Sequence, residues 1–179
     1  MEPPEGDWLL VVYVRSTLEV VGKRYLNFRP IPISFRDLTT VLPTGVDMHV
    51  PQDFVEIVAE GDQWAGVRVW HFDGSEIALW WAPGPIEPLQ LNNAIVMLEA
   101  THDPENPPGV LNAEETEWQG RKAFLFREDW RQDQPVASEA LVVQGANHWL
   151  YVLRMRTTGD TDVSPLMRQV WETFTFVED

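Results

Sequence analysis

Asp73-Gly74 lies between two apolar, β-branched runs, residues 65–72 and 76–82, and no other stretch constrains the fold as strongly. An Asp-Gly pair favours the positive backbone angles of a two-residue hairpin turn, and runs of this length on either side are strands. The second run contains Trp80 and Trp81 in succession. Neighbouring strand residues point to opposite faces of a sheet. Either one indole is exposed, as a binding anchor would be, or the sheet is covered on both sides.

The remaining β signals extend this hairpin into a meander. Residues 8–14 form an apolar run that suits a buried strand. Residues 25–35 carry Pro30 and Pro32, which confine that segment to an edge strand or an extended connection. The first 36 residues are therefore expected to be an extension with its own strand, ahead of a main domain over 37–179. Strands are expected over 37–42, 46–50, 54–59, 65–72 and 76–82, and then over 116–118, 122–130, 137–144 and 148–156. Between the two sets the period changes. Leu91, Ile95, Leu98 and His102 follow helical spacing, which predicts a helix within 86–101. Ser164-Pro165 is a helix start, with Ser as N-cap and Pro at the first helical position. Leu166, Val170 and Phe174 make the apolar stripe of that helix, with Met167 and Trp171 beside them. The order of strands, helix, strands, helix and short strand predicts an α+β fold with antiparallel pairing dominant.

Composition narrows the function. The chain has no Cys, which excludes disulfides, zinc–thiolate sites, iron–sulfur clusters and thiol nucleophiles. Its net charge is −15, unevenly spread: residues 31–120 hold fifteen acids against two bases, Arg36 and Arg68. Such a segment repels phosphate backbones and anionic membranes, and attracts a basic protein surface. No apolar run reaches membrane-spanning length, and no signal-peptide pattern opens the chain. It reads as soluble and cytoplasmic, with an exported domain trimmed of its signal as the alternative.

Three constellations are candidates for chemistry. Asp47 and His49 are two residues apart, and His71 and Asp73 repeat that spacing. Together they make a zinc-type ligand set if their strands meet in register, although Asp73 has an ordinary role in its turn. His102 with Asp103 at a helix end invites a catalytic reading with Ser75 or Ser138 as nucleophile. The helix dipole accounts for a His there equally well. Arg127 and Arg131 share strand parity, as do Arg154 and Arg156. If their strands are neighbours they form a basic strip for an anion or an acidic partner. The ordinary alternative is cross-strand pairing with Glu128, Asp129 and Glu139. The chain contains no phosphate-binding loop, dinucleotide fingerprint, nucleophile elbow or metalloprotease motif.

The segments Trp118-Gln-Gly-Arg-Lys-Ala123, His148-Trp-Leu-Tyr-Val-Leu-Arg154 and Trp171-Glu-Thr-Phe-Thr-Phe176 resemble the PsbP-like group over about residues 38–177. That group includes the photosystem II extrinsic protein, a Ran-binding nuclear import factor of Mog type, DcrB- and LpqN-type envelope proteins and effector chaperones. Its Gly-x-x-Ala step falls on Gly120 and Ala123. Thr173 stands where the group carries Ser. The resemblance implies an antiparallel sheet sandwiched by helices and carries no catalytic residue.

The expected function is therefore a non-enzymatic, protein-binding accessory or adaptor, chaperone-like, with no cofactor. Trp80, Trp81, Arg127, Arg131, Arg154 and Arg156 are its candidate binding residues. The alternative is a carrier of a small apolar ligand in an aromatic-lined pocket. A metal-dependent hydrolase using Asp47, His49, His71 and Asp73 is the third reading.

Overall fold

The structure is a computed structural model that describes residues 6–14, 19–28, 33–38, 41–42, 45–130 and 134–177, with the backbone alone for 6–14 and 19–28. The chain divides into two compact units, Met1–Ser34 and Phe35–Asp179. In the first, β1 (Gly6–Val14) pairs antiparallel with β2 (Glu19–Phe28), and a bulge at Val12/Tyr13 interrupts the register. Strand β2 ends at Phe28, ahead of Pro30 and Pro32.

The second unit is α+β. Its strands are β3 (Phe35–Asp37), β4 (Val46–Asp47), β5 (His49–Pro51), β6 (Val55–Gly61), β7 (Gly66–Phe72) and β8 (Ser75–Pro83). After helix α1 (Leu91–Glu99) come β9 (Gly109–Trp118), β10 (Arg121–Asp129), β11 (Val136–Gln144) and β12 (Trp149–Thr158). Helix α2 (Pro165–Thr173) and β13 (Thr175–Phe176) close the chain. Seven strands form one antiparallel sheet in the order β6-β7-β8-β12-β11-β10-β9. Two small pairs, β3 with β5 and β4 with β13, stand apart from it.

Each face of the large sheet has its own core. On one, Trp70, Ile77, Leu79, Trp81, Leu141, Tyr151, Leu153 and Met155 pack with Met167, Val170, Trp171 and Phe174 of the α2 region, and with Met48 and Val50. On the other, Phe124, Phe126, Ala140, Val142, Leu150 and Val152 pack with Ala94 and Leu98 of α1 and with Leu89. The tryptophan pair therefore divides between two covered faces. Trp81 is 4% exposed in the first core, and its indole N–H donates to the Asp62 carbonyl at 3.0 Å. Trp80 lies half-buried against the second core. This corrects the expectation that Trp81 serves as a surface anchor: a sheet covered on both sides has no open face for it.

Three element boundaries differ from expectation for identifiable reasons. The helix expected within 86–101 is shorter: residues 86–87 form a bend, Pro88 disfavours helical backbone at the residue before it, and the N-cap Gln90 is extended. Its buried positions are Ala94 and Leu98, while Leu91 is exposed. The strand expected over 37–42 ends at Asp37, where Leu38 turns inward to the core and its carbonyl accepts from Val41 and Leu42. Strand β9 starts seven residues before the expected 116, since an exposed edge strand with three Glu lacks the apolar run of a buried one. Helix α2 begins as expected, with Ser164 Oγ accepting from the Met167 N–H.

Gly66 is opposite Trp81 in the β7–β8 register. A Cβ built there would stand 2.5 Å from Trp81 Cζ2 and 2.5 Å from the Glu60 carbonyl oxygen, so only glycine lets the indole lie against this backbone. Gly66→Ala is expected to destabilise the domain by about 2 kcal/mol, as overpacking against fixed groups does. Urea unfolding followed by tryptophan fluorescence measures it.

Candidate functional site

The face covered by α1 carries a polar row across the sheet. Register places Glu128 opposite Ser138, Ser138 opposite Arg156, and Arg156 opposite Glu76. In the next row Arg154 stands between Ala140 and Ala78. These two small side chains leave space for its guanidinium to reach across to Glu128.

Glu128 is the centre of the cluster and its side chain is fully buried. Oε1 accepts from His102 Nε2 at 2.6 Å and from Arg154 Nη2 at 3.1 Å. Oε2 accepts from Ser138 Oγ at 2.7 Å and lies 2.9 Å from Arg154 Nε. Burial pushes the Glu128 carboxyl up. The His102 hydrogen bond, the Arg154 charge and the Ser138 hydrogen bond overcome it and bring the group down to about 2. An ionised carboxylate only accepts, so His102 must donate from Nε2.

Arg154 is 3% exposed. Burial pulls its pKa down and the Glu128 charge opposes this; an arginine keeps its charge under such a balance. Its Nη2 also donates to Thr101 Oγ1 at 2.6 Å, and that hydroxyl donates in turn to the Leu98 carbonyl at 2.7 Å. The guanidinium thus sits at the C-terminal end of α1, where a cation meets the negative pole of the helix. Trp80 stacks on it, 4.7 Å from Cζ to ring centre, and Trp130 flanks both Arg154 and Arg156. Arg156 Nη2 donates to Glu76 Oε2 at 2.8 Å.

His102 joins this cluster to an open cleft of about 550 Å³. Ile95 and Glu99 of α1, Pro104, Pro107 and Pro108 of the following loop, and Val110 of β9 line the rest. Val110 in the lining is exposed, and Val96 and Leu111, each next in sequence to a lining residue, are 66% and 69% exposed. Beyond lies β9, whose outer side is an edge of the sheet among the described residues. A bulge between the Arg127 and Glu128 pairings adds Leu111 to this edge. Glu114, Glu115 and Glu117 along it are exposed, and Glu115 pairs with Lys122 at 3.0 Å.

The structure does not assemble the expected basic strip. Arg127 is opposite Glu139, which is opposite Met155, so Arg127 lies on the α2 face while Arg154 and Arg156 lie on the α1 face. Each arginine has a carboxylate partner, with Arg127 Nε 3.5 Å from Glu139. Cross-strand pairing with Glu128 and Glu139 is therefore the arrangement found. Arg131 falls outside the described residues. The expected metal quartet does not form either. Asp73 occupies its hairpin turn at φ 43°, and neither it nor His71 joins Asp47 and His49. Those two meet Asp37 instead, with His49 Nε2 3.9 Å from Asp47 and 4.0 Å from Asp37. His102 and Ser138 do converge, but on the Glu128 carboxylate between them. Each bonds that carboxylate, the Ser138 hydroxyl donates to Glu128 rather than to the imidazole, and Ser138 is buried, which is not the His–Ser pairing a nucleophile of this kind needs. Asp103 instead accepts from the Glu105 N–H in its own loop.

The sequence matches no protein-family model. It matches no curated protein either. Its fold is similar to that of cyanobacterial PsbP (CyanoP) from Synechocystis sp. PCC 6803, with 12% identity, a TM-score of 0.54, and 83% of this chain and 95% of that one covered. The Ran-binding protein Mog1p of Saccharomyces cerevisiae aligns over 80% of this chain and 95% of its own, with 9% identity and a TM-score of 0.48. The likeness to CyanoP is one of fold, and the domain has a PsbP-like fold.

Glu128→Gln leaves Arg154 buried without its counter-ion and is expected to cost about 3–5 kcal/mol, measured by urea unfolding at pH 7. The folded carboxyl lies below its unfolded value of 4.5, so the stabilisation is complete above that value and is lost as pH falls from there towards about 2. The loss is on the order of 3 kcal/mol. Urea midpoints between pH 5 and pH 2.5 should fall more steeply for the unaltered chain than for Glu128→Gln.

Proposed function

We propose that this chain is a non-enzymatic protein-binding module, of adaptor or chaperone-like character, whose docking surface is the cleft between α1 and β9. The observation that carries the reading is the exposed apolar side chains on the two elements that wall the cleft, Val110 in its lining and Val96 and Leu111 each next in sequence to a lining residue, with Glu99 in the lining and Glu115 and Glu117 further along β9. Exposed apolar surface rimmed by charge marks interaction sites. The flanking edge strand offers unpaired backbone groups to an extended segment. The fitting partner is an extended, basic segment with apolar anchors: its cations meet the glutamates and its apolar side chains fill the cleft.

The acids on β9 also serve the chain itself, because charge and a bulge at a sheet edge oppose edge-to-edge aggregation. The opposite edge, β6, carries the same devices in Glu56, Glu60 and a bulge at Ile57. It is the cleft beside β9 that favours docking on this side. A carrier of a small apolar ligand has less support: neither this cleft nor the cleft of about 380 Å³ beside Arg121 and His148 is lined by Trp, Phe or Tyr. Among the described residues no helix is long and apolar enough to cross a membrane.

Leu111→Asp tests the surface, since an exposed position tolerates the change in the folded state. The tagged chain and this variant are used to capture proteins from lysate of the source organism at low and moderate salt. The reading predicts a stoichiometric protein that the unaltered chain retains, that moderate salt releases, and that Leu111→Asp fails to capture. Capture that is equal for both chains overturns the docking surface. No retained protein at low salt overturns the binding module.

A further inference from the structure

Asp37, Asp47 and His49 come from three short strands, β3, β4 and β5, and their side chains meet at one point of the surface. Asp37 is opposite His49 in the β3–β5 pairing. Asp47 and His49 are separated by Met48, which is fully buried, so the two flanking side chains turn outward together. The backbone beneath is fixed: Thr173 Oγ1 accepts from the His49 N–H at 3.0 Å, and its one proton lies between the Val170 carbonyl at 2.7 Å and the His49 carbonyl at 3.1 Å. Asp47 is also opposite Thr175 in the β4–β13 pairing. One ligand atom from each of the three residues lies within 4.8 Å of the other two.

We propose that this trio is a binding site for a borderline divalent transition ion, with Zn²⁺ as its representative. The donor set supports this class: imidazole with carboxylate suits zinc and its neighbours, whereas Ca²⁺ and Mg²⁺ take oxygen ligands. Distance supports it as well. A point equidistant from the three donor atoms is at most about 2.5 Å from each, given separations of 4.0 and 3.9 Å from His49 and no more than 4.8 Å between the carboxylates. Closing to bonds of about 2.0–2.2 Å needs only small side-chain rotations, and all three side chains are at least partly exposed. Charge points the same way. A divalent ion sets two positive charges between the two carboxylates, with the neutral imidazole as third ligand. The acid excess of residues 31–120 adds a field that concentrates cations here. Three protein ligands leave coordination positions to solvent. A bound ion would tie β3, β4 and β5 together, and through Thr173 and β13 would brace the end of α2.

Calorimetric titration of the full chain with Zn²⁺ tests the site. One saturable equivalent is expected, with Mg²⁺ and Ca²⁺ at the same concentration failing to displace it. His49→Gln and Asp47→Asn should each weaken Zn²⁺ binding by more than about tenfold. The control His71→Gln/Asp73→Asn should leave it unchanged. No saturable binding at millimolar Zn²⁺ overturns the proposal, and so does equal affinity in the unaltered chain and His49→Gln, which would put the ion elsewhere on the acidic surface. Should a variant lose its fold, Mn²⁺ at substoichiometric amounts decides on the unaltered chain. Of the four histidines, the His49 imidazole resonances should broaden first. Uniform broadening, or His71 broadening first, overturns the site.

Discussion

The buried Glu128 carboxylate organises one entire side of this domain. It is held ionised inside the sheet–helix layer by an arginine, an imidazole and a hydroxyl, and each of these belongs to a different part of the chain. Arg154 brings β12 and the end of α1, His102 brings the loop that follows α1, and Ser138 brings β11. A buried ion pair of this kind adds little net stability over a well-packed apolar substitute. What it fixes is position. A hydrophobic contact between α1 and the sheet tolerates sliding, whereas four hydrogen bonds and ion contacts on one carboxylate do not. The wall of the cleft is consequently set by a residue, Glu128, that does not line it.

The two faces of the sheet solve different problems. The α2 face is an apolar core with aromatic rings in contact, including Tyr151, Phe174 and Phe176. Its small outer strands carry the Asp37, Asp47 and His49 trio on a backbone anchored by Thr173. The α1 face mixes an apolar patch with the charged row, and its single nine-residue helix packs against β11 and β12. That helix leaves the β9 side uncovered, which is where the apolar side chains and the acids are exposed. Trp80 and Trp81, adjacent in sequence, mark the difference: one indole is sealed in the apolar core, the other forms a lid on a guanidinium.

Much of this fold was legible in the sequence, because hairpin turns and apolar alternation are local signals. Asp73-Gly74 forms its turn at positive φ, Ser164 caps α2, and the order of elements gives an antiparallel α+β domain. The site was less legible because it depends on register between distant strands. Strand parity correctly places Arg154 and Arg156 together. It cannot say that Arg127 is on the other face, since that follows from the β10–β11–β12 pairing. Glu128 was named as a pairing partner for the arginines, but its place at the centre needed His102, 26 residues away. Asp37 does not stand out as a neighbour of His49 in sequence, because the strand expected over 37–42 is in fact Phe35–Asp37 and only that register sets Asp37 opposite His49. Only the last residues of β9 carry a strand signal, for a chemical reason: its acids and exposed residues belong to an edge, and this edge lacks the alternation that half-buried strands show.

Native-state hydrogen exchange on the unaltered chain and on Glu128→Gln tests the central claim that this carboxylate positions the cleft. Amides open in local units when a local anchor is lost, and all together when only global stability falls. The account predicts that Glu128→Gln deprotects α1 and residues 100–110 beyond any global change, while β7 and β8 lose protection only to the extent of the fall in global stability. Uniform loss across the domain would contradict it and reduce the cluster to one contribution among many to overall stability.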